Sequence, residues 1–322
     1  MRERDMPLPS ELLERVNKWF SEVIHSTSWG RENSVDISAG LKVDAGLPLL
    51  AKLMASVTSL FKYESKHREE VKGVLKKYPG TLLDSVNALL AAANEILAAQ
   101  NQELLVIIDN LDRYEPQVID ELLVRNGDRV RNLACNLILT PPISLIYRPH
   151  SENLDARFPV EIMNTVRLRR QDQPYDAFDG PGRELLLKAL AHRVDLDTLL
   201  PDIKARDRLV TASGGGIREL LSLVSDASLN ALGSSITLDA IESTVKGRKQ
   251  RLRDLVNANG WWPTLARIAR DKQLFADESC LRVLYLRLVF KYNGDGWYDV
   301  HPLLTELPEF QQAAKQLSPS AT

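Results

Sequence analysis

Apolar residues in the first hundred positions mainly follow the spacing of α-helices. In residues 11–25 they fall on one helical face, residues 47–61 are strongly apolar, and residues 81–99 are rich in Leu and Ala. Residues 35–43 instead alternate apolar and more polar side chains, which is typical of a short strand or hairpin. This part of the chain is therefore predicted to be mainly helical.

A continuous apolar run, Leu-Leu-Val-Ile-Ile at residues 104–108, is followed directly by Asp109. Such a run predicts a fully buried parallel strand that carries a carboxylate at its C-terminal end. Residues 116–131 then have the pattern of a helix, and a second apolar run over residues 136–139 ends at Thr140. The order strand, helix, strand predicts a parallel sheet covered by helices.

Helical patterns dominate the chain after this segment. Short extended segments are predicted at residues 143–147 and 166–169, and a polar connector rich in Pro and Gly follows at residues 171–182. Residues 183–246 are then predicted to be helical, with breaks at Asp202 and at residues 213–216.

The last patterned unit covers residues 257–310. Its predicted elements are helices at residues 263–271 and 277–283, a strand at 283–292, a turn at 293–296 and a strand at 297–300. The Asn-Gly-Asp-Gly turn between aromatic and β-branched residues is a good hairpin signal. Helices followed by a hairpin are the components of a winged helix.

The composition is that of an ordinary soluble globular protein, since 44% of the 322 residues are apolar and 26% are charged. With only two cysteines, Cys135 and Cys280, a disulfide scaffold and a cysteine zinc site are excluded, and a cytoplasmic location is expected. The apolar runs are shorter than the ~20 residues of a membrane span, and no secretory signal is predicted. A net charge of −2 gives no overall attraction to nucleic acid.

Several enzyme classes lack their motifs in this sequence. The five histidines are scattered without the spacing of metal ligands, and neither Gly-x-Ser-x-Gly nor Gly-x-Gly-x-x-Gly occurs. Zinc chemistry, a serine hydrolase of the elbow type and a dinucleotide oxidoreductase are therefore disfavoured.

Asp109 is the residue with the clearest chemical signal. An acid at the end of such a strand is placed to hold the water shell of a phosphate-bound Mg²⁺. The alternative is that Asp109 only caps the helical segment that follows it.

The string Leu-Leu-Val-Ile-Ile-Asp-Asn-Leu-Asp-Arg at residues 104–113 resembles the Walker B segment of AAA-type ATPases, especially their STAND-like and KAP-like branches. The resemblance implies that Asp109 orders Mg²⁺ and that Thr140 is similar to the sensor-one residue near the γ-phosphate. It also implies that Arg218, which follows Gly-Gly-Ile, is similar to the sensor-two arginine of the lid. Residues 257–310 look like the winged helix that follows the lid in those branches.

Each of the two sensor assignments has a structural alternative. Thr140 is equally well explained as an ordinary hydroxyl at the end of a strand. Arg218 could pair with Glu219 or Asp226, an interaction that usually contributes little free energy. Arg113 and Arg148 could act in trans on a nucleotide of a neighbouring subunit, although surface ion pairs are the simpler interpretation.

Two features depart from the family pattern. Asn110 stands where the family normally has an acid that polarises the attacking water, so hydrolysis is predicted to be slow unless Asp112 substitutes. The motif Gly-x-x-x-x-Gly-Lys-Ser/Thr, whose backbone and lysine bind the phosphates, does not occur. We therefore expect an ATPase module without its first strand, phosphate loop and first helix, through truncation, a mis-assigned start or degeneration. Binding of ATP and Mg²⁺ is conditional on that loop.

The predicted fold class is α/β: a partial parallel-sheet P-loop NTPase-like domain followed by a helical lid and a winged-helix domain. Four regions are expected in chain order: the helical N-terminal part of the ATPase-like domain at residues 1–102, its sheet core at 103–172, the lid at 173–253, and the winged-helix-like domain with its tail at 254–322.

The leading functional hypothesis is an ATP-binding module that acts as a nucleotide-controlled switch and not as a fast ATPase, with a protein partner or a second copy of itself. Asp109 would order Mg²⁺, Asn110 or Asp112 would position water, and Arg218 would couple the nucleotide to the lid. The first alternative is an interaction scaffold that no longer binds nucleotide. The second is a DNA-binding regulator that uses the winged helix and the basic residues 246–253, and a shorter basic stretch lies at residues 167–170.

Overall fold

The computed structural model of the protein describes residues 11, 14, 18, 79–173, 180–231, 233, 235–292 and 296–317. The chain divides into two units, Met1–Pro141 and Pro142–Thr322. Glu11, Glu14 and Lys18 are helical and exposed, as expected for the polar face of the predicted first helix. The patterns predicted over residues 35–43 and 47–61 lie outside the described residues.

The first unit contains the predicted helix–strand–helix–strand order. Its elements are α1 (Pro79–Ala98), β1 (Leu105–Ile108), a 3₁₀-helix (Leu111–Arg113), α2 (Pro116–Ile119), a π-helical segment (Asp120–Arg125), α3 (Gly127–Arg131) and β2 (Asn136–Leu139).

The helix predicted over residues 116–131 is divided into three pieces. Asn126 leaves the helical region with φ −114° and ψ 18°, and its side-chain amide donates a 2.8 Å hydrogen bond to the carbonyl of Glu121. That side chain competes for a carbonyl that a continuous helix would use, and Gly127 next to it is a poor helix former. The local Asn-Gly pair therefore explains the interruption.

Strands β1 and β2 pair in parallel, as predicted, with Leu105 opposite Asn136 and Ile108 opposite Leu139. The prediction that both strands are fully buried is wrong. Leu105, Ile107 and Ile138 share one face of this two-stranded sheet and are 50%, 60% and 47% exposed. The apolar run predicted the strand correctly, but it did not predict the solvent exposure of the strand's side chains.

Two asparagines of α1 hold the N-terminal ends of both strands. Asn87 donates to the carbonyl of Asn132 at 2.8 Å and accepts from the backbone N–H of Ala134 at 2.9 Å. Asn94 donates to the carbonyl of Ala134 at 2.9 Å and accepts from the N–H of Leu104 at 3.2 Å. Seven residues are two helical turns, so both side chains lie on the same face of α1. They link the residues just before β2 to the residue just before β1.

We expect Asn94→Ala to lower the free energy of unfolding of the first unit by about 1–3 kcal/mol, because two backbone groups lose their partner at once. Urea unfolding of the full chain measures the change. Glu95→Ala, which alters the adjacent exposed position of the same helix, is the control and should change stability by less than about 0.5 kcal/mol. Equal effects of the two substitutions would contradict the role given to Asn94.

The described residues of the second unit form helices and a β-hairpin. Its elements are a 3₁₀-helix (Ile143–Tyr147), α4 (Glu152–Asp155), α5 (Gly180–Ala191), α6 (Leu196–Leu199), α7 (Ile203–Ala212), α8 (Ile217–Asn230), α9 (Leu238–Asn259), α10 (Trp262–Asp271), α11 (Glu278–Tyr285), β3 (Val289–Lys291), β4 (Tyr298–Val300), α12 (Pro302–Thr305) and α13 (Pro308–Leu317).

The two extended segments predicted at residues 143–147 and 166–169 are not strands. Residues 143–147 form a 3₁₀-helix, in which the N–H of Leu145 binds the carbonyl of Pro142 at 3.0 Å and the Leu145 side chain is completely buried. Short apolar runs do not distinguish a buried strand from a buried helical turn. Residues 166–169 form no strand, although Thr165, just before them, forms an isolated β-bridge with Tyr292.

The helices predicted over residues 183–246 are present and both predicted breaks are found, but the helices are also interrupted between Ala191 and Leu196 and between Asn230 and Leu238, which was not predicted. Asp202 caps α7 by accepting a 2.8 Å hydrogen bond from the N–H of Lys204, and the glycine-rich residues 213–216 separate α7 from α8. Helix α9 continues across position 253/254 and ends at Gly260, whose φ of 66° terminates the helix. The four regional boundaries remain predictions.

The antiparallel strand pairing of the hairpin predicted within residues 257–310 is confirmed, although its first strand is shorter than predicted, and residues 293–295 of the predicted turn lie outside the described residues. Strands β3 and β4 are antiparallel, with Val289 opposite Val300. Residues 283–285 belong to α11 instead of β3, because Asp277 caps that helix by accepting from the N–H of Cys280 at 2.8 Å. Leu281 and Leu284 of this helix are buried at helical spacing.

His301 follows β4 as a buried neutral cap of α12. Its side chain is almost completely buried, and its Nδ1 accepts a 3.2 Å hydrogen bond from the N–H of Leu303. Burial lowers the pKa of His301 to about 3, with a further contribution from the positive charge of Arg248.

We expect the second unit to lose stability as the pH falls from about 6.5 towards 3, since in that window the unfolded chain binds a proton on His301 and the folded chain does not. The loss from this one group is at most about 1.4 kcal/mol for each pH unit. Urea unfolding at several pH values measures it. His301→Asn keeps a capping oxygen but cannot titrate. The free energy of unfolding of this variant should therefore depend less steeply on pH, by the contribution of one proton. A variant curve parallel to that of the wild type would contradict this assignment.

Candidate functional site

The C-terminal ends of the two parallel strands bring Asp109 and Thr140 into contact. The Oγ1 of Thr140 donates a hydrogen bond to Oδ1 of Asp109 at 2.7 Å. The pairing of the strands continues to this point, because the N–H of Thr140 donates to the carbonyl of Ile108 at 3.2 Å. Two residues that are 31 positions apart in sequence therefore form one exposed polar group at the edge of the sheet.

Asn110 completes this group through its main chain. Its φ of 64° and ψ of 20° are left-handed, a conformation that asparagine adopts more readily than most residues. In that conformation its N–H donates to Oδ1 of Asp109 at 2.7 Å and to Oγ1 of Thr140 at 3.1 Å. The backbone of Asn110 thus orients the Asp109 carboxylate, and the predicted role of its side chain in positioning water remains a prediction.

The other predicted residues lie apart in the chain. Asp112 is half-buried in the 3₁₀-helix that begins after Asn110. Arg218 is exposed in the first turn of α8 and belongs to the second unit, so its predicted contact with nucleotide remains a prediction. Arg148 lies 3.6 Å from Glu278, in agreement with its interpretation as an ion-pairing residue.

The acids suggested as partners of Arg218 bind another arginine. Arg248 of α9 lies 3.3 Å from Glu219 and 3.2 Å from Asp226, both on α8. Burial raises the pKa of Glu219, while the nearby Arg248 opposes that shift. These ion pairs hold α8 against α9.

The oxygen atoms at the sheet edge fit Mg²⁺ but supply only part of its ligands. The exposed Asp109 carboxylate and the Thr140 hydroxyl offer oxygen atoms, which Mg²⁺ prefers. Within the ranges that the structure describes, no cluster of three or more His, Cys, Asp or Glu side chains could hold a metal ion by itself. One carboxylate is the protein contribution expected where phosphates and water supply the remaining ligands.

The basic residues 246–253 are largely paired with acids of the same unit. Besides Arg248, the residues Lys249 and Arg253 bind Glu306 and Glu309, and Arg251 lies 3.9 Å from Asp226. Four of the five cations in this run therefore contact carboxylates. Arg169, in the second basic stretch, is buried and binds Asp299. Neither stretch is a continuous surface of unpaired positive charge.

Asn87 and Asn94, which hold the N-terminal ends of the two strands that carry the site, were not predicted from the sequence. The available signal was the presence of two asparagines, seven residues apart, in a helix otherwise rich in Leu and Ala. Asparagine is a weak helix former, so its occurrence at that spacing indicates a side-chain role.

The segment that contains β1 and Asp109 also matches a known protein family. Residues 21–127 match the model of the KAP family P-loop domain. The resemblance of the Walker-B-like strand to the KAP-like branch is thereby confirmed for this segment. Thr140 and Arg218 lie beyond the matched residues. No curated protein and no solved structure matches the chain.

The coarse fold agrees with an α/β assignment, since most described residues are helical and the first unit contains a small two-stranded parallel sheet. None of the described helices has both the length and the apolar composition that a membrane span requires.

Proposed function

We propose that this chain is the nucleotide-binding module of a KAP-like ATPase and works as a nucleotide-controlled switch with slow or no hydrolysis. The observation that supports this function is the 2.7 Å contact between Thr140 and Asp109 at the ends of adjacent parallel strands. One of these strands lies within the segment that matches the KAP family P-loop domain.

In this proposal Asp109 is the protein ligand that holds Mg²⁺ through its water shell. The metal, when bound, neutralises charge on the phosphates of ATP. Thr140 and the N–H of Asn110 hold the carboxylate in one orientation, which lowers the entropic cost of binding. Thr140 also offers its hydroxyl to the terminal phosphate.

Slow hydrolysis follows from the residue next to Asp109. The Asn110 amide cannot accept a proton from water, so it cannot act as a general base. Asp112 is the nearest acid along the chain that could take this role, and it is half-buried in the following 3₁₀-helix.

The second unit supplies the responsive part of the proposed switch. In this proposal the helices α5–α9 correspond to the lid, and Arg218 at the beginning of α8 has the role of a phosphate contact. Helices α10 and α11 followed by the β3–β4 hairpin form the winged helix. The order of helix, helix and hairpin supports this assignment.

An interaction scaffold is a second candidate, and it rests on a different observation. Leu105, Ile107 and Ile138 are each about half exposed on one face of the sheet. Apolar side chains grouped in this way favour contact with protein. This candidate needs no nucleotide.

Equilibrium binding of labelled ATP and ADP to the full chain, with and without Mg²⁺, separates the two candidates. Micromolar binding that requires Mg²⁺ is the result expected for the switch. No binding up to millimolar nucleotide would contradict the switch and favour the scaffold.

A further inference from the structure

The loop Ser213–Gly216 joins α7 to α8 and packs against the β3–β4 hairpin. The Oη of Tyr292, which follows β3, donates a 2.8 Å hydrogen bond to the carbonyl of Gly214. Gly214 has a φ of 60°, and a Cβ atom added there would lie 2.5 Å from Cε2 of Phe290. The loop therefore approaches two aromatic residues of the hairpin so closely that a side chain at Gly214 would not fit.

Two further hydrogen bonds connect the loop to the hairpin through Thr165 and Val166. The N–H of Val166 donates to the carbonyl of Gly215 at 3.3 Å, and the N–H of the adjacent Thr165 donates to the carbonyl of Lys291 in β3 at 2.9 Å. Gly215 has a φ of 87°, and a Cβ there would collide with the carbonyl oxygen of Val166. Backbone thus meets backbone on this side, and backbone contacts cannot adapt as a flexible side chain can.

The same loop sets the position of Arg218. Gly216 is the N-cap of α8, and its carbonyl accepts from the N–H of Leu220 at 2.9 Å. The loop is also braced from within, since Oγ of the buried Ser213 donates to the carbonyl of Val210 at 2.6 Å and accepts from the N–H of Gly215 at 3.2 Å. Arg218, two residues after Gly216, is exposed. The first turn of α8 therefore begins from a segment that the hairpin holds.

We infer that the Ser213–Gly216 loop couples the β3–β4 hairpin to the Arg218 end of α8, so that the two move as one cooperative unit. Its use as regulation of nucleotide binding rests on the proposed function, because Arg218 is the predicted phosphate contact. The mechanical coupling itself requires no nucleotide. Because coupling is reciprocal, a protein that binds the hairpin changes nucleotide affinity as much as nucleotide changes that protein's affinity.

Hydrogen exchange of the full chain without nucleotide tests the coupling from both sides. Tyr292→Phe removes one hydroxyl on the hairpin side, and Ser213→Ala removes one on the loop side. We expect each variant to speed exchange about fivefold in the peptides that contain Val166, Gly216 and Tyr292, which corresponds to one lost hydrogen bond. Tyr285→Phe, which removes one phenolic hydroxyl at the end of α11, is the control and leaves these peptides unchanged.

Exchange that rises only on the mutated side in both variants would overturn the coupling. Repeating the exchange with saturating Mg²⁺-ATP then tests the regulatory role. Nucleotide is expected to change protection at both the loop and the hairpin in the wild type, but only at the loop in Tyr292→Phe. If ATP does not bind at all, the proposed function fails, whereas the nucleotide-free result still decides the coupling.

Discussion

Asp109→Ala is expected to weaken Mg²⁺-dependent binding of ATP at least tenfold, which corresponds to about 1.4 kcal/mol. The substitution removes the proposed magnesium ligand and the acceptor of two hydrogen bonds, from Thr140 and from the N–H of Asn110. Binding of labelled ATP at fixed Mg²⁺ measures the change. Binding in the absence of Mg²⁺ should be affected much less, because the proposed role of the carboxylate is to hold the metal.

Two further variants separate charge from geometry at this site. Asp109→Asn keeps an oxygen that can accept from Thr140 but removes the negative charge, so it should lose Mg²⁺ dependence with little loss of stability. Asp84→Asn removes a charge from an exposed position on α1 and is the matched control. If Asp109→Asn and Asp84→Asn bind Mg²⁺-ATP equally well, Asp109 is not the metal ligand.

The contact between Asp109 and Thr140 follows from features that the sequence contains. A buried-strand pattern, a helix and a second strand pattern predict parallel neighbours, and the C-terminal ends of parallel neighbours lie at the same edge. The polar residue that follows each run was therefore predictable as part of one group. The left-handed conformation of Asn110 was not, because asparagine adopts that conformation only occasionally, as a single residue, and the local sequence does not show at which position.

The errors in the fold prediction have a common physical origin. Residues 143–147 and 283–285 are short apolar stretches that were predicted to be extended, and each belongs to a helical segment whose N-cap residue lies outside the stretch. Pro142 precedes the 3₁₀-helix, and the capping Asp277 begins α11. A count of apolar positions does not include this information, whereas capping signals read together with the periodicity could have corrected both.

Local sequence patterns also could not predict ion pairs between residues far apart in the chain. Arg169 was noted in the sequence as part of a basic stretch, yet its partner Asp299 lies 130 residues later. Asp299 occupies the middle of β4, where a strand pattern would place an ordinary exposed acid. Only the folded chain brings the two together.

The Asp299 carboxylate is the centre of a buried charge cluster, and its removal should have the largest effect on stability. Its side chain is 1% exposed, its Oδ2 lies 2.8 Å from Nζ of Lys272, and Arg169 binds the same oxygen. Both cations also lie over the ring of Trp297, at 5.3 Å for Arg169 and 5.7 Å for Lys272. Asp299→Ala leaves two neighbouring cations without this carboxylate, so we expect a loss of about 3–5 kcal/mol in the free energy of unfolding.

An exposed pair one residue before Lys272 provides the control for this prediction. Arg270 and Asp271 form a 2.7 Å ion pair with half of the arginine side chain exposed, so Asp271→Ala should cost less than about 1 kcal/mol. Urea unfolding of both variants compares the two sites directly. The triple variant Arg169→Met, Lys272→Met and Asp299→Leu should recover much of the lost stability. The cost of Asp299→Ala arises from the uncompensated charge and not from the missing contact. Similar losses for Asp299→Ala and Asp271→Ala would show that burial does not govern the contribution of Asp299.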